Sequence, residues 1–329
     1  MTTMSWKDSG LPPYGWLPTL ATINDTPPAD WQGSQADFVT WRAGMLTLIQ
    51  QRIWPVCDLG AKTWVGDAAA FLREITLADL AILKAISADG PMKLLNRLPE
   101  SPLRHLGCPL HQAFYDAEDG GTAIADPRRM YDRQSNADTF LTPIGDLFTR
   151  GRARKSTLGV IYWFKRALQR PRPFQCGLLL DIEIKHEGAK SGLHPATISG
   201  HCFQGMASLA GIAERLLLDR TAVSEEQWSW IRRICADFGD RRVMAGVHFP
   251  SDNLASWIVM LDLSQHVVDG AVLTEVKRQM SEAIRTSEIY QRIVGSVQAG
   301  GSPYGAALKA LQDRMVSGPP APITPADGA

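Results

Sequence analysis

The sequence predicts an all-α protein. Apolar residues recur at helical spacing in several long windows, and alternating apolar–polar runs are almost absent. Several of those windows also open on residues that cap helices. With 329 residues, 45% of them hydrophobic, the chain is long and apolar enough for a sizeable core.

Residues 1–34 are rich in Pro, Thr, Asp and Gly and read as an extended arm ahead of a single helical domain over 35–315. Apolar spacing predicts a helix over 36–54 and one or two helices over 66–88, with Asp67 as an N-cap. Residues 91–135 mix Pro, Gly and charge and read as short helices and loops; 139–150 and 155–170 are helical again. The last of these carries Val160, Ile161, Trp163, Phe164 and Leu168, the mark of a buried element. Pro171 and Pro173 end it, because proline donates no helical N–H and keeps the preceding residue out of the α region. Residues 174–198 read as a long loop.

Ser199 is placed to N-cap a helix whose Phe203, Met206, Ala207, Ala210, Ala213 and Leu217 share a face. Ser224 and Gln227 form a capping box for the next helix, through Trp228, Ile231, Ile234 and Phe238, which Gly239 is expected to end. Pro250 suits the first turn of a helix through Leu254, Trp257, Ile258 and Leu261. Residues 272–297 read as one last amphipathic helix, and the Pro-rich tail over 316–329 as disordered.

Charge and composition narrow the function. Lysine and arginine number 34, as do aspartate and glutamate, so neither a nucleic-acid surface nor a polybasic membrane patch is indicated. The five cysteines lack metal-ligand spacing and include no CxxC pair, which suits reduced thiols and no metal centre. The first residues have no apolar signal core, and no stretch of about eighteen uncharged apolar residues occurs. A cytoplasmic protein without a membrane span is the expectation. The apolar helices and tryptophans would permit a homodimer.

The chemistry lies in three short segments: Lys165 through Pro173 (KRALQRPRP), Ser199-Gly200-His201, and Arg242 through Asp252 (RVMAGVHFPSD). Together they supply cationic donors for a tetrahedral oxyanion and two imidazoles, one to attack and one to protonate a leaving group. Lys165 falls in the last turns of its helix, and Arg172 just beyond it, between two prolines. Ser199 and Gly200 place a helix N-terminus, which attracts anions, where the backbone can come close. His201 leans over the same spot. His248 just precedes a helix, and Asp252 in that helix's first turn can reach back to one ring nitrogen, fixing the tautomer. His194 is a loop histidine near the second segment, with a substrate contact the less favoured reading.

The pattern Lys-x6-Arg-Pro, Ser-Gly-His and Arg-x5-His-x3-Asp resembles the signature of the type 2 phosphatidic acid phosphatase superfamily. That group includes the class A bacterial acid phosphatases and the vanadium haloperoxidases. Lys165, Arg172 and Pro173 match its first block, Ser199, Gly200 and His201 its second, and Arg242, His248 and Asp252 its third. The likeness covers about 140–300 and is greatest to the soluble class A acid phosphatases. Ile198 stands where that superfamily usually has Pro, and Arg241 where it usually has Ser.

The resemblance implies a helical bundle of the acid phosphatase/vanadium haloperoxidase type. It also implies a metal-independent phosphatase acting on a small-molecule phosphate ester. Lys165, Arg172, Ser199, Gly200 and Arg242 would bind phosphate. His248 would be the nucleophile, His201 the acid and base, and Asp252 the residue orienting His248, with no cofactor. The implied alternative is a haloperoxidase in which the same cradle holds vanadate and His248 ligates it. The 40 residues between His201 and Arg242 favour the compact phosphatase arrangement. A non-catalytic scaffold would be expected to have lost a motif residue, and every matching position is filled.

Overall fold

The computed structural model describes residues 26–54, 74–89, 157–184 and 194–318. All regular structure among them is helical, as the apolar spacing predicts. Helix α1 (Gln35–Arg52) opens on a capping box: Ser34 Oγ accepts from Asp37 N (3.1 Å), and Asp37 Oδ2 accepts from Ser34 N (2.9 Å). Helices α2 (Glu74–Asp89) and α3 (Thr157–Leu168) follow in the described chain. Asp67, the expected N-cap, and the expected helix over 139–150 lie outside the described residues.

The reading of 174–198 as a long loop is corrected at its start. Pro173 ends nothing further; it occupies the first position of a short helix, α4 (Pro173–Leu179). Arg172 is the N-cap, and its N–H donates to Gln175 Oε1 at 2.8 Å. A proline whose missing N–H would be unpaired in any first turn starts this helix as readily as it stops the one before.

The centre of the fold is α5 (Gly200–Leu218), packed against α3, α6 (Glu225–Met244), α7 (Pro250–Val267) and α8 (Leu273–Thr286). Nearly every residue of α7 is buried, with Trp257 through Leu261 fully so. Each large apolar side chain buried on this helix contributes about 1.5–3 kcal/mol. Helices α9 (Glu288–Gln298), α10 (Gly305–Gln312) and α2 cover α7 from other sides. The end of the N-terminal arm docks on the far end of α7. There Gln32 N donates to His266 O (2.6 Å), and the Trp31 ring stacks on His266 at 4.4 Å.

Two further expectations fail for physical reasons. The single helix over 272–297 is two, broken at Ser287. Its Oγ caps α9 by accepting from Tyr290 N (3.1 Å) and donates to Asp240 Oδ1 (2.6 Å), while Asp240 Oδ2 takes Glu288 N at 2.8 Å. Burial, with Asp237 beside it, pushes the Asp240 carboxyl up to about 7.

Gly239 does not end α6, which runs on to Met244. The glycine serves contact, not termination. A Cβ there would lie 2.8 Å from Cys202 Sγ and 2.9 Å from Asn253 Nδ2. It lets α6 meet α5 and α7 beside the motif residues. Gly239→Ala should therefore cost about 1–3 kcal/mol by overpacking, read as a lower denaturation midpoint with an unchanged m-value.

Candidate active site

Every motif residue falls on the ends of α3, α4, α5, α6 and α7, where these helices converge. Lys165 sits in the last turn of α3 and is 4% exposed; its Nζ donates to the carbonyls of Pro195 (2.6 Å) and Ala196 (3.1 Å). Arg172 donates through Nε to His194 O and through Nη1 to Val247 O, both at 2.6 Å. The same Nη1 stands 2.8 Å from His248 Nε2. Ser199 is the N-cap residue of α5, yet its side chain makes no capping bond. Its buried Oγ finds no hydrogen-bond partner among the described residues. Buried hydroxyls are seldom left so, and an anion at this helix N-terminus would satisfy it.

A Cβ on Gly200 would press on Ile161 Cγ2 at 3.3 Å and approach Lys165 Cε. The glycine keeps α5 close to the stem of Lys165. His201 follows in the first turn and lines a cavity of about 80 Å³ together with Lys165, Arg172, Gly200 and His248.

Arg242 differs from expectation in position. It lies in the last turn of α6, buried, and its carbonyl accepts from His248 N (3.1 Å) and Val247 N (3.2 Å). The helix end thus carries the backbone of His248, while the Arg242 charge bears on both imidazoles. Arg241, one residue earlier, turns its charge toward Asp237.

Asp252 does two things at once. Its Oδ2 accepts from Phe249 N (2.9 Å), closing the N-terminus of α7, and meets His248 Nδ1 at 3.1 Å. The helix cap and the histidine contact share one oxygen. Because Asp252 can only accept when ionised, Nδ1 carries the proton and Nε2 the lone pair, which Arg172 faces.

Burial holds both His201 and His248 well below the ordinary imidazole range, and the surrounding arginine and lysine charges push the same way. Burial and Arg172 likewise hold Lys165 well below its usual range. His194, whose ring packs edge-on to Tyr162 at 5.3 Å on the cavity wall, is pushed down to about 4 by burial and then Lys165 and Arg172. The site is short of negative charge. Among the described residues no group of His, Cys, Asp and Glu side chains is arranged to hold a metal ion. The donors suit an oxyanion instead.

Sequence reasoning missed the support beneath this cradle. The loop 194–197 holds Lys165, Arg172 and, through Thr197 Oγ1, Asp252 Oδ1. Arg170 is wholly buried. Its Nη1 donates to Asp252 Oδ1 (3.1 Å) and Ser251 Oγ (2.8 Å), and its Nη2 to Asp79 Oδ2 (2.9 Å) and Thr76 Oγ1 (3.2 Å). The guanidinium carbon lies 3.8 Å from the centre of the Phe249 ring. The one available signal was the Arg-Pro-Arg-Pro run, in which two arginines compete for a single motif position.

Residues 156–267 match the PAP2 superfamily. The match runs from the start of α3 to the end of α7 and takes in every motif residue. Phosphatase-type hydrolysis is the activity that this match supports. No curated protein and no solved structure gave a match. Among the described residues no helix is long and apolar enough to cross a membrane.

An oxyanion entering the cradle would offset the positive charge that holds His201 down. The pKa of His201 should then rise on binding, so that protons are taken up between the free and bound values. Sulfate suits the test, having no proton to exchange near neutrality. Calorimetric titration at about pH 6, in two buffers of different ionisation enthalpy, should show uptake of roughly one proton per site, with affinity falling as pH rises. Buffer-independent heats would show that no imidazole gains a proton.

Proposed function

We propose that the protein is a metal-independent phosphomonoesterase acting on a small-molecule ester through a phosphohistidine at His248. The observation that carries this reading is the opposed pair of contacts on one ring. Nδ1 is held by Asp252, Nε2 stands 2.8 Å from Arg172 Nη1, and His248 lines a cavity together with Lys165, Arg172 and His201. Lys165, Arg172, Arg242, Ser199 Oγ and the first amides of α5 take the phosphoryl oxygens. Arg172 moves its donor from the His248 lone pair to the substrate.

His248 Nε2 attacks phosphorus as the bond to the leaving oxygen breaks, and Asp252 steadies the positive charge that develops on the ring. His201, protonated once the phosphoryl dianion is beside it, gives that proton to the leaving alkoxide. Neutral again, it takes a proton from water, whose oxygen attacks phosphorus and breaks the P–N bond, releasing phosphate. Vanadate, also a tetrahedral oxyanion, fits the same donors with His248 as its ligand and would supply peroxide activation. No separate feature of the site favours that reading.

The test is hydrolysis of a chromogenic phosphomonoester in chelator, with and without vanadate. Turnover that vanadate inhibits is expected. No turnover in chelator, but vanadate-dependent halide oxidation by peroxide, would overturn the proposal.

A further inference from the structure

We propose that Asp79, on α2, is a positioning residue for His248, acting through Arg170 and Asp252, and that Tyr304, at the head of α10, holds Asp79 in place. Both residues lie outside the segment that matches the superfamily, so the match does not assign them. The inference rests on the reading of His248 as nucleophile.

The relay is continuous and buried at every step. His248 Nδ1 meets Asp252 Oδ2, Asp252 Oδ1 takes Arg170 Nη1, and Arg170 Nη2 reaches Asp79 Oδ2. Asp79 Oδ1 then accepts from Tyr304 Oη at 2.6 Å and from Ser251 N at 2.9 Å. Asp79, Arg170, Asp252 and Tyr304 are each 0% exposed. A packing role alone would not need two carboxylates straddling one guanidinium.

That arrangement has a consequence for Asp252. Alone with Arg170, Asp252 would share its charge fully with the guanidinium and be a poorer acceptor for His248. Asp79 takes one edge of Arg170 and leaves Asp252 more charge for the imidazole. By binding Ser251 N it also fixes the backbone next to Asp252. The phosphate donors Lys165, Arg172 and Ser199 make none of these bonds, so substrate binding should be spared.

The experiment compares Asp79→Asn and Tyr304→Phe with the wild-type chain. For each, kcat and KM on a chromogenic phosphomonoester are measured beside the proton NMR signal of the His248 Nδ1–H, assigned by its loss in His248→Ala. Asp79→Asn should lower kcat roughly 10- to 100-fold with KM little changed, as loss of an outer-shell partner does. It should also move the Nδ1–H resonance upfield. Tyr304→Phe, which removes one oxygen and keeps the ring, should shift both readouts the same way by less, and carries the test if Asp79→Asn does not fold.

An unmoved resonance in the folded variants, with activity lost only in proportion to folded protein, would overturn the proposal. If the wild-type chain turns over no phosphomonoester but the resonance still moves, the catalytic reading fails and the positioning of His248 by Asp79 stands.

Discussion

His248→Ala should abolish turnover, lowering kcat by on the order of 10⁴-fold or more, while the protein remains folded. The size of the effect follows from the role. Lysine, arginine and serine donors can stabilise charge on a phosphoryl group, but none replaces the atom that bonds to phosphorus. Water attacking directly would have to reach phosphorus from a cavity shaped around an imidazole. The fold should tolerate the change. Asp252 keeps its bonds from Phe249 N, Thr197 and Arg170, and the lost ring is one that burial and four neighbouring cations already disfavour in its charged form. Circular dichroism and single-turnover kinetics with a ³²P-labelled ester check both halves. Wild-type covalent labelling that persists in His248→Ala would move the nucleophile elsewhere.

What the sequence revealed and what it hid divide along a physical line. Local rules were legible: the capping box at Ser224 and Gln227 is present, Pro250 opens α7, and Ser199 stands at the head of α5. Each depends on residues within four positions of one another. Gly239 is ambiguous in sequence, because a glycine that ends a helix and one that lets two helices touch look alike without the partner, here Cys202. The break at Ser287 was hidden for the same reason, since its other half is Asp240, on a different helix. Arg170 is hidden beside Arg172 because the motif has room for one arginine. What separates their tasks is contact with Asp79 and Ser251, far away in the chain. Spacing located Lys165, Arg172, Gly200, His201 and His248, which line the cavity. It was silent on those that hold them, because support comes from long-range pairing between buried charges.

That buried pairing sets the second large effect. Arg170→Met should destabilise the protein by about 3–5 kcal/mol at neutral pH, because it leaves two carboxylates in the interior without their shared cation. Methionine fills much of the volume and keeps contact with Phe249, so the loss reports charge more than packing. Arg170→Lys should recover little. One ammonium cannot reach Asp252 and Ser251 on one side and Asp79 and Thr76 on the other, as the guanidinium fork does.

The pH dependence separates this cause from a cavity. Burial already raises the Asp79 carboxyl above its ordinary value, and the Arg170 charge is the largest influence opposing that rise. Without Arg170 the folded-state value climbs further. A carboxyl whose folded pKa is raised binds more protons folded than unfolded between the two values, so stability falls as pH rises through that window and returns as pH falls. The deficit of Arg170→Met against wild type should therefore be greatest at about pH 8 and shrink toward about pH 5, as urea midpoints measured at each pH would show. A deficit that stayed constant across that range would assign the loss to packing.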